Sequence, residues 1–426
     1  MSTDLSPTTA PPPADQPSPP AAILGDRSLF PTLQWPVHAN FASVSPPSLP
    51  VQQAMMQQVL DMAQRGSYAF GDWIAQRNRL RQDLAGLLGC APDDLALVQS
   101  TTAGLAAVAL AIAWRPRDKI LCFLGEFPAN VTPWQQIALR FGAVCQLMPL
   151  PAPQAPVAPW LERVEAELRK GVRLLAISAV QFQTGWRAPL GELAALCHRY
   201  NAEICVDAVQ SLGAVPLDVG ALQLDYLSAG SHKWLMGPEG AGVLYLSPQR
   251  RPQLLRTQAG WLSHEDPVSF LLQGKGLLRY DRPIRDRSDW LEGGNLAAAS
   301  CAGLGAAVGL LRQLDPQALF AHLQAWHDLL EPQLLELGFT SLRHADPQQR
   351  SGILAVQPPT DVAVVALQKA LADRGVLTSI PDGNLRFSPH WPSPLGETQV
   401  LAQALGEALQ ALRGKGEGAT AVVVRG

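Results

Sequence analysis

Residues 201–247 read NAEICVDAVQSLGAVPLDVGALQLDYLSAGSHKWLMGPEGAGVLYLS, and three apolar runs within them set the expectation for the fold. The first, 204–206, ends on a carboxylate, Asp207, at the point where a parallel strand opens toward a ligand crevice. The second, 225–229, delivers Gly230, Ser231, His232 and Lys233 in succession. A loop of turn-forming residues, GPEGAG at 237–242, leads into the third, which closes near Leu246.

A lysine after a strand is ordinarily a solvated surface group. Here an acid closes one strand, a lysine closes another, and glycines surround the second. Pyridoxal phosphate chemistry needs these two partners: an amine for a Schiff base, and a carboxylate that keeps the pyridine nitrogen protonated.

VDAVQS followed by GSHKWLMGPEGAG resembles the core motif of the class V aminotransferase family, whose members include cysteine desulfurases, kynureninase and isopenicillin N epimerase-like proteins. The resemblance implies an α/β, fold-type I architecture: a large domain with a mostly parallel, doubly wound sheet, and a smaller α+β C-terminal domain. It also implies pyridoxal 5′-phosphate as cofactor, a small-molecule amino acid as substrate, and a homodimer with shared active sites.

The whole chain is compatible with that reading. At 426 residues it is long enough for a two-domain enzyme with a large core, and 47% apolar against 16% charged residues suits a compact α/β protein. A net charge of -3 gives no electrostatic case for nucleic acid, and no apolar run is long enough to span a membrane. The proline-rich residues 1–22 read as a disordered arm without the basic start and apolar core of a secretory signal, so the expected compartment is the cytoplasm. Six scattered cysteines read as buried free thiols. The expected division is an N-terminal segment at 23–67 that joins the small domain, a large cofactor-binding domain at 68–300, a small domain at 301–413 and a flexible tail at 414–426.

Further candidates follow along the chain. The junction QSTTAG at 99–104 starts a helix expected to run through Trp114, and such a start offers free N–H groups and hydroxyls to an anion; an ordinary N-cap is the alternative. The family carries a Gly-Thr-Thr sequence there that holds the cofactor phosphate, so the resemblance points to Thr101 and Thr102, with Ser100 in the glycine's place. EFPANVTPW resembles the Phe-Pro pattern of kynureninase and epimerase-like members, which makes Phe127 the candidate for stacking on the cofactor ring. Phe182 stands where many desulfurases have asparagine. Gln210 resembles the glutamine that bonds the cofactor's phenolic oxygen, and Ser231 and His232 resemble its phosphate and Schiff-base neighbours. DWLEGGN resembles the family's Glu-x-Gly-Thr stretch, so Asn295 either reaches the phosphate of the neighbouring subunit or caps the helix that follows. LRFSPH matches an Arg-x-Ser-x-His motif, and a guanidinium suits a substrate carboxylate, which nominates Arg386.

Ser231 and His232 are also weighed as part of a hydrolase triad. Neighbours on an extended segment point to opposite faces, which disfavours that arrangement. No zinc or nucleotide motif is present, and no metal is assigned. Cysteine desulfurases use a nucleophilic cysteine in their C-terminal region, and no cysteine follows Cys301. That argues against persulfide transfer and leaves transamination, epimerisation and β-cleavage open, with transamination the leading expectation for the reaction. A β-cleaving lyase, including C–S cleavage, and an epimerase are the alternatives, and a non-catalytic relative is a minor one.

Overall fold

The structure is a computed structural model and describes residues 20–420. The chain enters through β1 (Val37–His38), α1 (Leu49–Arg65) and, after one 3-10 turn, α2 (Phe70–Leu88). Gly89 ends α2 in the left-handed conformation, a C-cap that most side chains resist. Strands and helices then alternate: β2 (Leu95–Val98), α3 (Thr101–Ala111), β3 (Lys119–Leu124), α4 (Thr132–Phe141), β4 (Val144–Pro149), α5 (Ala158–Leu168), β5 (Val172–Ser178), α6 (Leu190–Arg199) and β6 (Glu203–Asp207). β7 (Tyr226–Gly230) and β8 (Gly242–Leu246) complete this part. Short turns and α7 (Ser269–Leu272) lead to α8 (Ala298–Leu311) and α9 (Pro316–Glu336). The chain ends in β9 (Thr340–Ser341), β10 (Leu354–Gln357), α10 (Val364–Ala372), β11 (Val376–Leu377), β12 (Leu385–Phe387) and α11 (Glu397–Thr420).

The large sheet has seven strands in the order β2-β8-β7-β6-β5-β3-β4. Its neighbours are parallel except around β8, which runs antiparallel to both β2 and β7. The sheet is thus mostly parallel, as expected. Its central strands β6, β7 and β8 are buried throughout, which is why they read as continuous apolar runs rather than alternating ones. One core lies between the sheet and α2, α5, α6 and α8, and a second holds α3 and α4 to the opposite face. The pattern is that of a doubly wound fold.

The smaller unit packs α9, α10 and α11 on the antiparallel sheet β12-β10-β9. Val37 and His38 pair with Val376 and Leu377, so the start of the described chain joins this unit. α1, by contrast, lies against α8. The boundary expected at residue 300 falls inside α8, whose Leu304, Val308 and Leu311 belong to the large core. α9 bridges the two cores, with Leu319 and Leu323 in one and Trp326 and Leu330 in the other.

Two expected boundaries move at the ends. Residues 1–19 of the proline-rich arm lie outside the described residues, while Ala22 is buried and its amide donates to Gln313 Oε1 at 3.0 Å. α11 continues to Thr420, past the tail expected from 414; residues 421–426 lie outside the described residues. α3 stops at Ala111 rather than Trp114.

Candidate functional site

The carboxyl edge of the large sheet gathers most of the candidates. Asp207 is the last residue of β6 and is buried, and its Oδ1 accepts from the Val209 amide at 2.9 Å. Burial pushes its carboxyl up to about 6, against the pull of that amide and of the Lys233 charge. Lys233 follows β7 by three residues, and burial pushes its amine down to about 8. The Asp207 charge opposes that fall and the Arg386 charge adds to it, so the three groups share one electrostatic environment. Lys233 Nζ lies 5.6 Å from the centre of the Phe127 ring.

The backbone around Lys233 is held from several sides. Residues 231–235 form turns, not the extended segment expected. Ser45 Oγ donates to the Lys233 carbonyl at 2.6 Å, and the Ser45 amide donates to the His232 carbonyl at 2.8 Å. Ser231 is fully buried and its hydroxyl donates to the Pro238 carbonyl, which ties this oxygen into the loop and disfavours a nucleophilic role for it. His232 is half-buried, and its imidazole is pushed below its usual range by burial and then by the Lys233 charge.

Thr101 and Thr102 part ways at the start of α3. Thr101 is buried, and its Oγ1 accepts from the Gly230 amide at 2.8 Å while its carbonyl accepts from Ser228 Oγ at 3.1 Å. It therefore fastens α3 to β7. Thr102, one residue on, is exposed in the first turn, with Ser100 capping the helix through Oγ and the Ala103 amide at 3.1 Å. Gln210 is oriented by two bonds: Trp234 Nε1 donates to its Oε1 at 2.8 Å, and its Nε2 donates to the Ala42 carbonyl at 3.1 Å.

Phe127 is 47% exposed and meets Phe182 edge-on, with ring centres 5.4 Å apart. Arg386, on β12, is only 4% exposed, yet its partners are all neutral. Nε donates to Ser379 Oγ at 2.9 Å, Nη1 to the Phe182 carbonyl at 2.8 Å and Nη2 to Ser43 Oγ at 2.9 Å. Burial pushes this guanidinium down to about 10. No carboxylate pairs with it among the described residues, and a buried cation without a counter-ion fits an anionic ligand.

Asn295 is the candidate that the single chain does not bring in. It is exposed between the turn at 288–292 and α8. The capping role considered for it is also absent, since Ala297 occupies the N-cap of α8 with no side-chain bond.

Sequence reasoning passed over Glu126. This residue is buried two positions beyond β3, and burial pushes its carboxyl up to about 7. The signal was available: it is an acid at the end of an apolar strand, the same pattern that singled out Asp207. Ser43 and Trp234, which hold Arg386 and Gln210, carried no such signal. Among the described residues no group of three or more His, Cys, Asp or Glu is placed to hold a metal, and no helix is long and apolar enough to cross a membrane.

The family profile described as aminotransferase class-V matches residues 43–383. A cysteine desulfurase of Klebsiella pneumoniae is 30% identical over 293 residues, which cover 66% of this chain and 66% of that protein, just under two thirds of its length. Among solved structures, the cystine C–S lyase C-DES in complex with its product cysteine persulfide superposes with a TM-score of 0.79 at 24% identity, over 88% of this chain and 99% of that one. A C-DES mutant with glycine covalently linked to its PLP cofactor gives the same TM-score and identity over 89% and 99%.

Proposed function

The chain belongs to the aminotransferase class-V family, and from that premise we propose that it is a pyridoxal phosphate-dependent enzyme acting at the Cα–H bond of an amino acid. One observation carries the substrate class: the buried Arg386 guanidinium has only neutral partners and lies close enough to Lys233 to depress its pKa. An α-carboxylate at Arg386 leaves the amino acid's Cα near the lysine.

The residues fit the cofactor. Lys233 would hold its aldehyde carbon, Asp207 its ring nitrogen, Phe127 one ring face, and Gln210 its phenolic oxygen. The N–H groups of the first turn of α3 and the exposed Thr102 hydroxyl would hold its phosphate. When bound, pyridoxal phosphate supplies an electron sink for the bond broken at Cα. Lys233, whose amine burial pushes below its usual range, takes the Cα proton and can return it. Asp207 would hold the proton on the ring nitrogen.

For the reaction class we favour β-elimination at a C–S bond. Relatives at 30% identity are named cysteine desulfurases, and the family resemblance implies a nucleophilic cysteine in the C-terminal region for that reaction. No cysteine follows Cys301 here, and Cys301 is buried with its thiol pushed up to about 11. Sulfur would then leave with the substrate's own substituent: an S-substituted cysteine and water give a thiol, pyruvate and ammonia. Transamination, the leading expectation from sequence, is the second reading, because it asks the same groups only to move the proton. Epimerisation asks for a second proton donor on the opposite face. We also read the working unit as a cytoplasmic homodimer, in which Asn295 reaches the neighbouring phosphate; the six unpaired thiols suit a reducing compartment.

The test is direct. Purified protein should bind pyridoxal phosphate as a yellow species that borohydride bleaches, and with cystine or an S-substituted cysteine it should release pyruvate without a keto-acid acceptor. Pyruvate absent, with the cofactor converted to its amine form, would favour transamination. Colourless protein that ignores added cofactor would refute the enzymatic reading.

A further inference from the structure

β3 and β5 are paired only near their starts, where Lys119 meets Val172, Ile120 meets Leu174 and Leu121 meets Leu175. Beyond that point β3 continues along β4 to Leu124, and β5 continues along β6 to Ser178. The chain also changes its direction of travel across the sheet here: β4 lies outside β3, whereas β5, β6 and β7 step the other way. Doubly wound sheets carry their ligand crevice outside the carboxyl ends of the strands at such a switch point.

A single side chain links the segments that leave the carboxyl ends of β3 and β5. Oε1 of the buried Glu126 accepts from the Ser178 amide at 2.8 Å and from Gln181 Nε2 at 3.1 Å. Its Oε2 accepts from Asn130 Nδ2 at 3.2 Å and from the Ser178 hydroxyl. Four donors thus occupy the roughly four lone-pair positions of a carboxylate. No lysine or arginine pairs with it among the described residues. A buried carboxylate without a cation is a costly brace, and its place between two functional surfaces gives it a purpose. On one side Glu126 is followed by Phe127, whose ring faces Lys233 Nζ. On the other, Gln181 is followed by Phe182, whose carbonyl holds Arg386 and whose ring meets Phe127.

We infer that Glu126 is a positioning residue: its carboxyl fixes the separation between the Phe127 ring platform and the Phe182–Arg386 carboxylate clamp at the carboxyl ends of β3 and β5. What those two surfaces bind rests on the functional reading above. Above about pH 7, where Glu126 is ionised, the acceptor-only character of its carboxylate is the working part, and the variants are compared there. A glutamine of nearly the same shape keeps one acceptor oxygen but turns an NH2 group toward a donor, so half of the brace fails. Gln181→Leu instead cuts only the link to the Phe182 side.

The experiment compares wild-type protein, Glu126→Gln and Gln181→Leu by circular dichroism, by equilibrium dialysis of pyridoxal phosphate and by steady-state kinetics. Folded Glu126→Gln should bind the cofactor about tenfold more weakly and raise the amino-acid KM about tenfold, with kcat within about threefold. Gln181→Leu should raise KM alike while holding cofactor affinity within about twofold, because the Phe127 side keeps its bonds. A brace that only stabilises the fold would lower the melting temperature and leave both constants of the folded protein unchanged, which would overturn the inference. Should Glu126→Gln fail to fold, an unchanged KM in Gln181→Leu overturns it instead. Wild-type protein that takes up no pyridoxal phosphate would overturn the functional reading, a result distinct from variants that match a cofactor-binding wild type.

Discussion

Arg386 Nη1 donates to the main-chain carbonyl of Phe182, 204 residues away in sequence, at 2.8 Å. This bond ties the small antiparallel sheet to the tip beyond β5 on the large one. With Ser43 and Ser379 it fixes the plane of the guanidinium, leaving its remaining N–H groups for a carboxylate. Replacing Arg386 with glutamine should raise the amino-acid KM about 10- to 100-fold, the range for losing a charged hydrogen bond, with a smaller effect on kcat. Steady-state kinetics at saturating cofactor check this, and a KM changed less than twofold would place the carboxylate elsewhere.

Lys233→Ala separates attachment from binding. The variant should retain pyridoxal phosphate through Asp207 and the α3 start but carry none of it through dialysis after borohydride treatment, and catalysis should fall by at least about a thousandfold. Mass spectrometry of the reduced protein gives the answer. A cofactor mass still attached to the variant would mean that another amine forms the link.

Much of this arrangement was legible from strand ends. Apolar runs that stop on Asp207 and on the residues before Lys233 predict both the fold and two partners, because a fully buried parallel strand has nowhere to put a charge except at its end. The same logic applied to residues 119–126 would have found Glu126. Arg386 was readable only through a motif, since its burial depends on β12 packing against segments hundreds of residues away. Ser43 and Ser45, which hold Arg386 and Lys233, gave no signal: a serine's partner is set by tertiary contact, and no local pattern specifies it. Asn295 shows the opposite limit, a motif position that the single chain leaves exposed.

Gly213 tests the packing beneath the site. Its backbone is in the left-handed region, with φ +100, and a Cβ there would fall on the Trp234 carbonyl. That carbonyl accepts from His390 Nε2 at 2.8 Å, while the Trp234 indole orients Gln210. Gly213→Ala should therefore destabilise the fold by about 2–4 kcal/mol, combining backbone strain with displacement of Trp234. Denaturant unfolding of cofactor-free protein measures it. Gly86, with open space around its Cβ position and inside α2, is the control, and Gly86→Ala should be neutral or stabilising by up to about 1 kcal/mol.

The clearest dependence on pH belongs to the cofactor-free protein. Burial pushes the Lys233 amine down to about 8 from its usual 10.5, and only the unprotonated amine attacks an aldehyde. The rate of pyridoxal phosphate capture should climb about tenfold per pH unit below 8 and level off above about 9. The neighbours fix the sign of two variants: Asp207→Asn removes a charge that raises the amine's pKa, so its midpoint should fall, whereas Arg386→Gln removes one that lowers it, so its midpoint should rise. Stability runs with the same protons. Because the folded pKa of Lys233 lies below the unfolded one, the unfolded chain holds the proton more tightly between about 8 and 10.5, and the fold gains stability as pH rises through that window. Asp207 behaves oppositely: its carboxyl, raised from 3.8 to about 6, costs the fold stability as pH rises through that lower window. Stopped-flow absorbance of cofactor uptake from pH 6 to 10 decides the matter, and a midpoint near the usual lysine value that neither variant moves would mean that Lys233 is solvated and outside the field of Asp207 and Arg386.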